Sequence, residues 1–130
     1  LQTVPLAVFV TAISLTQPET TTLAGVPITI DEHLPKPPAR PGRLSLCERH
    51  TQLGRYVGPI LKAVRPARPV SVGLFAGRLA YGRRPWWAVV FVMTVIQARA
   101  GDRRDWDAIR EWAAGLPAAM ALAAVAEVAL

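Results

Sequence analysis

Only a few residues of this chain have side chains and spacing that suit ligand binding or catalysis. The first group of them lies at the end of an apolar run. Residues 4–15 read VPLAVFVTAISL, and Thr11, Ala12, Ile13 and Ser14 stand near the end of that run. If the run is a strand of an open parallel sheet, ligands bind at this end of it. The backbone amides and the hydroxyl groups can then contact a ligand. Alternatively, the hydroxyl groups only satisfy backbone groups where the strand stops.

A second candidate position follows another apolar run, residues 70–75. Gly77 has no Cβ, so its backbone can approach a ligand closely, although a tight turn explains a glycine equally well. The neighbouring Arg78 offers a positive charge to an acidic substrate, or is a solvated surface residue. Gly77 and the 11–14 group are therefore the predicted ligand-binding positions.

The acidic residues near the end of the chain do not predict a catalytic pair. Asp105, Asp107 and Glu111 are close together, but they start or lie in a predicted helix. A helix cap and intrahelical ion pairs with Arg103 or Arg110 explain them. Because no nucleophile and base can be assembled, we assign no catalytic residue.

Metal binding is not predicted either. His33 and His50 lie far apart in sequence, in polar and Pro-rich surroundings, and Cys47 is the single cysteine. One cysteine can form neither an internal disulfide nor a multi-cysteine metal site. It fits a reducing compartment, and we expect a cytoplasmic protein.

A cationic and aromatic block precedes a long apolar run. The block contains Tyr81, Arg83, Arg84, Trp86 and Trp87, and the run WWAVVFVMTVIQA begins within it. Tryptophan with flanking arginine is typical of segments that lie on a membrane surface, here the inner face. The run is too short to span a bilayer, which takes about 20 residues. A helix buried in the domain or at a dimer contact would have the same composition.

Composition places the chain among single globular domains with a basic surface. It has 130 residues, 52% of them hydrophobic, and 15 Lys and Arg against 9 Asp and Glu. Such a charge balance suits nucleic acid, anionic membranes, anionic substrates or no partner at all. There is no run of five like charges and no interleaving of aromatic residues with arginine. Nucleic-acid binding is therefore disfavoured.

Hydrophobic patterning predicts strands at 4–15 and 70–75 and a helix at 51–64. Both strands are apolar without clean alternation, as in strands buried on two faces. Thr51 is the predicted cap of the helix. The apolar stripe of this helix recurs at spacings of three and four: Leu53, Val57, Ile60, Leu61 and Val64.

A last helix is predicted to start at Asp102 or Asp105 and to end near Gly115 and Pro117. Its predicted buried stripe is Trp106, Ile109, Ala113 and Leu116, and Trp112 is also assigned to the core. The Ala-rich tail, residues 117–130, is either another helix or a frayed end.

The segment 19–50 has a different character, with many of the 12 prolines and little periodicity. We interpret it as a long loop or an insertion, in which residues 26–30 can add an edge strand. The order strand, loop, helix, strand, helix predicts an α/β protein with parallel strands and flanking helices. Two or three strands bury little sheet, so we expect marginal stability.

The segments PLAVFVTAISL, RPVSVGLFAGRLAY and GDRRDWDAIREWAAGL, in that order, resemble the C-terminal part of flavodoxin-domain proteins. The relatives they resemble are those grouped with the menaquinone-dependent protoporphyrinogen dehydrogenase. The resemblance covers roughly residues 3–18 and 51–116, within a domain part spanning 1–116. The family's first strands and its Ser/Thr/Gly-rich phosphate-binding loop have no counterpart in this sequence.

This resemblance implies a partial flavodoxin-like fold and an FMN-dependent oxidoreductase or electron carrier. The isoalloxazine ring would pack against residues 11–14, with backbone amides and the hydroxyl of Thr11 or Ser14 near its polar edge, and Gly77 on the cofactor side. A quinone or small-molecule electron partner and a porphyrinogen-like substrate would follow. The alternative is a non-catalytic module without a flavin site, which binds a membrane surface through Trp86 and Trp87 or another protein, including a second copy of itself.

Overall fold

A computed structural model describes residues 4–16, 21–36, 40, 42–80, 82–96 and 101–129. Within them the chain is a mixed α/β protein with a mostly parallel central sheet and flanking helices. The strands are β1 (Leu6–Ala12), β2 (Leu15–Thr16), β3 (Thr22–Leu23), β4 (Val26–Ile30), β5 (Pro35–Lys36), β6 (Pro69–Ala76), β7 (Arg78–Leu79) and β8 (Gly101–Asp102). The helices are α1 (Leu46–His50), α2 (Leu53–Ala63), α3 (Trp86–Phe91), which continues into a π-helical turn at Val92–Ile96, and α4 (Trp106–Val128).

β6 is an inner strand of the main sheet and the most deeply buried of its four strands. The strand order is β1-β6-β4-β3, and β6 is parallel to both β1 and β4. Val72, Leu74 and Phe75 are fully buried. Such continuous burial is expected where both strand edges are paired and both faces are covered. Both predicted strands are present and lie side by side in parallel, but the prediction of burial on two faces is wrong for the first: β1 is shorter than predicted and lies at the edge of the sheet, with only Ala12 buried.

The Pro-rich segment contains more regular structure than a loop. The strand predicted at 26–30 is present, but it lies between β6 and the two-residue β3 rather than at the edge. Val26 and Ile28 are buried, whereas Pro27 between them is exposed. This alternation is what a strand requires, and it was obscured by the prolines around it. Leu34 is also buried, beside the small β2–β5 pair.

One face of the sheet is covered by α2. Leu53 and Val57 of α2 are buried against Val72 and Leu74 of β6, as the predicted stripe requires. The predicted cap is wrong, because α2 begins after Gln52 and has no side-chain cap. The hydroxyl of Thr51 instead donates to the carbonyl of Glu48 at 3.1 Å and lies 2.7 Å from the hydroxyl of Thr16. The Thr51 hydroxyl is therefore used in contacts with Glu48 and Thr16 and does not cap α2.

The other face of the sheet is covered by α4 through an aromatic cluster. Phe9 stacks on Phe75 with ring centroids 5.2 Å apart, and Trp112 meets the Phe75 ring edge-on at 5.6 Å. The indole N–H of Trp112 donates to the Ser71 hydroxyl at 2.9 Å. A buried indole normally needs such a partner. Because residues alternate along β6, Ser71 and Phe75 face α4 while Val72 and Leu74 face α2.

The sheet-facing stripe of α4 differs from the predicted one. Ile109, Trp112 and Leu116 are half-buried, whereas Ala113 and Trp106 are exposed. Trp106 lies in the first turn, beside the guanidinium of Arg104 at 5.2 Å from the ring centroid. Assigning Trp106 to the core was therefore wrong, since the helix turns this residue away from the sheet.

The predicted ends of α4 were half right. Asp105 caps the helix, because its Oδ1 accepts from the N–H groups of Asp107 and Ala108. The helix does not stop near Gly115, but runs through Pro117 to Val128. Proline removes one helical hydrogen bond at a cost of about 3 kcal/mol. The Ala-rich tail offsets this cost, because alanine is the strongest helix former.

Gly73, at the middle of β6, makes the contact between sheet and helix testable. A Cβ at this position would lie 2.6 Å from Phe75 Cε2 and 2.8 Å from Trp112 Cε2. We expect Gly73→Ala to lower the free energy of unfolding by about 1–3 kcal/mol, because the rings must move. Gly58→Ala is the matched control, since nothing lies within 4 Å of that Cβ. It should be neutral or raise stability by about 0.5–1 kcal/mol. Equal urea midpoints for the two variants would contradict this packing.

Candidate functional site

A cleft opens at the carboxyl ends of β1 and β6, the edge at which open parallel sheets bind ligands. The exit from β1 contributes Thr11, Ala12 and Ile13, and the exit from β6 contributes Gly77 and Arg78. The volume of the cleft is about 110 Å³. Four of the five predicted ligand-binding residues thus lie together around one cleft. The fifth, Ser14, does not line it.

The backbone of Gly77 is not in the left-handed region, which lies at positive φ, so strain does not require a glycine there. A Cβ at this position would lie 3.5 Å from the Cβ of Thr11, an ordinary contact. A longer side chain would narrow the cleft between the two strand ends. The absence of a side chain at Gly77 therefore sets the width of the cleft.

Five residues that line the cleft were not predicted from the sequence, namely Tyr56, Ala76, Leu79, Gly101 and Arg103, and two of them make hydrogen bonds to the strand ends. Tyr56, on the first turns of α2, donates from its hydroxyl to the carbonyl of Thr11 at 3.3 Å. Arg103 lies just before α4, and its N–H donates to the carbonyl of Gly77 at 3.2 Å. Both lie far from β1 in sequence and reach the cleft only through tertiary folding. The sequence offered one signal for Tyr56 and none for Arg103: Tyr56 is adjacent to Val57, which belongs to the apolar stripe of the predicted helix.

The cleft carries positive charge. Arg78 and Arg103 line it, and within the described part of the chain no acidic side chain does. Asp102 is nearby, but its two carboxylate oxygens are bonded to the guanidinium of Arg104. Hydrogen bonds from the Arg104 side chain and backbone lower the pKa of Asp102 to about 2. That carboxylate is bonded to Arg104 and also interacts with the charge of Arg78, so that Arg103 and, in part, Arg78 give the cleft its positive charge.

A second polar cluster lies at the same sheet edge, on the other side of the β6 end. Asp31, just after β4, is buried, and its Oδ2 accepts from the N–H of Ala76 at 3.1 Å. Its Oδ1 accepts from the N–H of His33 at 3.0 Å and lies 2.8 Å from His33 Nδ1. Asp105, the cap of α4, has its Oδ2 3.9 Å from the same Nδ1. This cluster joins β4, β6 and α4.

Asp31, His33 and Asp105 are also spaced closely enough to hold a metal ion, with ligand atoms within 4.8 Å of one another. The carboxylate of Asp31, however, is already occupied by three N–H groups if Nδ1 carries a proton. A carboxylate–imidazole pair with these distances needs no metal to be satisfied. We therefore interpret the cluster as a hydrogen-bonded link between β4, β6 and the start of α4.

The cationic and aromatic block is at the surface. Trp86 is 78% exposed and Trp87 is 63% exposed, and Val90, Phe91 and Met93 are also exposed. The expectation of a helix buried within the domain is therefore wrong for the described part of this segment. Tyr81, also assigned to this block, lies outside the described residues.

Comparisons with known proteins identify no relative of the chain. No family model matches it, and no match was found among curated proteins or solved structures. The resemblance to flavodoxin-domain proteins accordingly stays a prediction.

The hydrogen-bonded link at His33 predicts that the free energy of unfolding depends on pH. The hydrogen bond to Asp31 raises the pKa of His33 above 6.5; its partial desolvation opposes this, and the charges of Asp31, Glu32 and Asp105 add to it. Burial alone would raise the pKa of Asp31, but the N–H groups of His33 and Ala76 outweigh it and lower that pKa. Stabilisation by protonated His33 is thus fully present below pH 6.5 and is lost as the pH rises through the folded value.

We expect His33→Gln to lower the free energy of unfolding more below pH 6.5 than in alkaline solution, measured by urea titration at several pH values. NMR titration should place the His33 pKa above 6.5 in the wild type and lower in Asp105→Asn. The amide of that variant keeps a carbonyl oxygen for capping. A His33 pKa at or below 6.5 in the wild type would disprove the hydrogen-bonded link between His33 and Asp31.

Proposed function

We propose that this chain is a flavin-binding domain, or part of one, from an FMN-dependent oxidoreductase or electron carrier with a flavodoxin-like fold. The supporting observation is that Thr11, Ala12, Ile13 and Gly77, chosen from the sequence, surround one cleft at the carboxyl edge of parallel strands. FMN supplies one- or two-electron chemistry when bound, and the protein tunes it by contacts around the ring.

The lining of the cleft suits one edge of a flavin ring. Ile13 is 47% exposed and offers an apolar surface, and Tyr56 offers an aromatic one. Backbone groups at the exit of β1 provide hydrogen-bonding partners for the polar edge of the ring. Arg78 and Arg103 provide positive charge, which either tunes the ring electronics or holds the phosphate.

The size of the cleft limits what these residues do. Ligand pockets usually measure about 300–1,000 Å³, so a cleft of about 110 Å³ takes only one edge of the ring. In the ranges that the structure describes, no Ser/Thr/Gly-rich turn opens a helix at this edge as a phosphate loop would. The described residues therefore form one wall of the proposed site, where a quinone or another small electron partner would exchange electrons with the ring.

Flavin binding can be tested by titrating FMN with purified protein and following the quenching of flavin fluorescence. We expect saturable binding that Gly77→Leu weakens at least about tenfold, or 1.4 kcal/mol, because the side chain narrows the cleft. Arg103→Gln should weaken it by about two- to fivefold, as for an exposed charge pair. Arg65→Gln is the matched control, since this arginine is exposed and lies away from the cleft.

Riboflavin serves as a second ligand in the same experiment. If Arg78 and Arg103 hold the phosphate, FMN binds more tightly than riboflavin and the difference shrinks in Arg103→Gln. If they act on the ring, the two ligands lose affinity equally. Absence of quenching by either ligand removes the proposed function for this chain.

A second candidate function is binding to an anionic membrane surface through α3, at the inner face of the membrane. From residue 49 to residue 101 the sequence contains no Asp or Glu and nine cations: Arg49, Arg55, Lys62, Arg65, Arg68, Arg78, Arg83, Arg84 and Arg99. Trp86 and Trp87 lie within this cationic region and are largely exposed. Exposed tryptophan next to arginine is what an interfacial segment requires.

The C-terminal helix α4 is another element that could contact a membrane. Among the described helices, α4 alone is long and apolar enough to cross a membrane. Because Trp112 docks one side of α4 onto the sheet, we assign membrane contact to α3 rather than to α4.

Sedimentation with vesicles distinguishes this candidate function. We expect binding to phosphatidylglycerol vesicles and little to phosphatidylcholine vesicles, with a loss of at least about tenfold in Trp86→Ala/Trp87→Ala. Arg83→Gln/Arg84→Gln should cost about 1 kcal/mol per residue on anionic vesicles. Trp106→Ala is the control, because this tryptophan is half-exposed elsewhere on the surface. Equal binding by all variants would rule out α3 as the contact.

A further inference from the structure

A second concavity lies apart from the proposed flavin site, between the end of the Pro-rich segment and α1. Its volume is about 410 Å³, and none of its lining residues borders the cleft between β1 and β6. Three arginines line it, Arg40, Arg43 and Arg49, and within the described part of the chain Glu48 is its one acidic residue. The lining is therefore cationic.

A tight turn places the first two arginines side by side. The N–H of Arg43 donates to the carbonyl of Arg40 at 3.2 Å, and the two residues form an antiparallel bridge. Gly42, between them, has a φ of 76°, which is the left-handed value of the third residue in a type II turn. The Cα atoms of the first and fourth residues of such a turn lie within about 7 Å of each other. The backbone thus holds two guanidinium-bearing side chains close together.

The start of α1 brings the third arginine to the same place and engages the acidic residue. The Oγ of Ser45 accepts from the N–H of Glu48 at 3.2 Å, and Glu48 Oε2 accepts from the N–H of Ser45 at 2.6 Å. This reciprocal pair is a capping box. The N–H of Arg49 donates to the carbonyl of Ser45 at 3.0 Å, so Arg49 lies one turn beyond the cap. One oxygen of the Glu48 carboxylate is therefore used by the backbone rather than by an arginine.

The three guanidinium groups are not neutralised within the ranges that the structure describes. The ion pairs found there involve other side chains, and these three groups form neither an ion pair nor a hydrogen bond with a described residue. Like charges held together repel each other. Each guanidinium also offers five N–H donors, so an anion placed among the three would relieve the repulsion and accept hydrogen bonds.

We propose that this concavity binds a small molecule through a phosphate monoester group. A carboxylate has two oxygens and one charge, which a single guanidinium satisfies in a bidentate pair. A phosphate monoester has three terminal oxygens and close to two negative charges, which suits three guanidinium groups.

The size and the remaining lining of the concavity indicate a ligand larger than the phosphate group itself. Its volume falls in the usual range of small-molecule pockets, about 300–1,000 Å³. Leu46 is 75% exposed at its wall, and Leu44 beside it is half-buried. An apolar body attached to the phosphate can cover these two side chains. This binding does not depend on flavin.

Titration of the flavin-free protein with phenyl phosphate tests this proposal, because this probe joins a phosphate monoester to an apolar ring. Followed by NMR, binding should be saturable and should shift the amide signals of Gly42, Arg43 and Arg49. Benzoate, in which a carboxylate replaces the phosphate, should bind at least about fivefold more weakly. Inorganic phosphate should shift the same signals with lower affinity than phenyl phosphate, since it has no apolar body.

Removal of charge from the turn provides the first variant. Arg40→Gln/Arg43→Gln should raise the Kd of phenyl phosphate at least about fivefold, since it removes two exposed charge pairs. Arg55→Gln/Arg65→Gln is the matched control, because it removes the same charge at two exposed arginines that do not line the concavity. Equal Kd values for these two variants would overturn the proposal, and so would equal affinities of the wild type for phenyl phosphate and benzoate.

Substitution of Gly42 separates the shape of the site from its net charge. Gly42→Val keeps every charge, but a β-branched residue is strained at positive φ, so the turn should open and the Kd should rise at least about threefold. Gly42→Asn is its control, because asparagine tolerates this conformation. The proposal fails if Gly42→Val binds phenyl phosphate as tightly as Gly42→Asn. It also fails if the probe shifts only the signals of Gly77 and Arg103, which would assign the phosphate to the cleft.

Discussion

Parallel pairing of β6 with β1 on one side and β4 on the other is the constraint on which the rest of the structure depends. Parallel neighbours bring their carboxyl ends to one edge, so residues that leave three separate strands must meet there. The cleft between β1 and β6 and the Asp31 cluster between β4 and β6 are the two results. Both use the exit of β6: Gly77 borders the cleft, and the N–H of Ala76 holds Asp31. The two sites are therefore adjacent, because Ala76 and Gly77 are consecutive residues, and Asp31 leads through His33 toward Asp105, the cap of α4.

Charge divides the two sites at this edge. The Asp31 side contains three carboxylates within reach of one histidine, while the cleft side contains two arginines and a carboxylate already held by Arg104. The buried Asp31 carboxylate accepts two backbone N–H groups in addition to its contact with the His33 ring. The polarity of the edge thus favours an anion at the cleft and a proton at His33.

Sequence patterning predicted the structure correctly where neighbours in sequence determine a residue's environment. The two continuous apolar runs became β1 and β6, and the Leu53–Val57 spacing marked the buried side of α2. It failed where distant residues decide the outcome. Thr51 has the chemistry of a cap but was drawn to Thr16, and Pro117 has the chemistry of a stop but is followed by a strongly helical tail. Arg103 was unpredictable for another reason, since its place in the cleft depends on the β7–β8 pair returning the chain to Gly77.

The anchoring of α4 by one indole has a mechanical consequence. Trp112 holds the helix at the middle strand of the sheet, while Leu122, Val125 and Val128 are largely exposed beyond it. Beyond Leu116, only Ala119, Met120 and Ala123 of α4 are half-buried, and Ala119 and Ala123 line a groove beside the starts of β1 and β6. Opening the last turns of α4 therefore breaks fewer packing contacts than opening the turns near Trp112, which requires the aromatic cluster to separate. The capped end of the helix, beside the candidate site, is thus the last part that we expect to open.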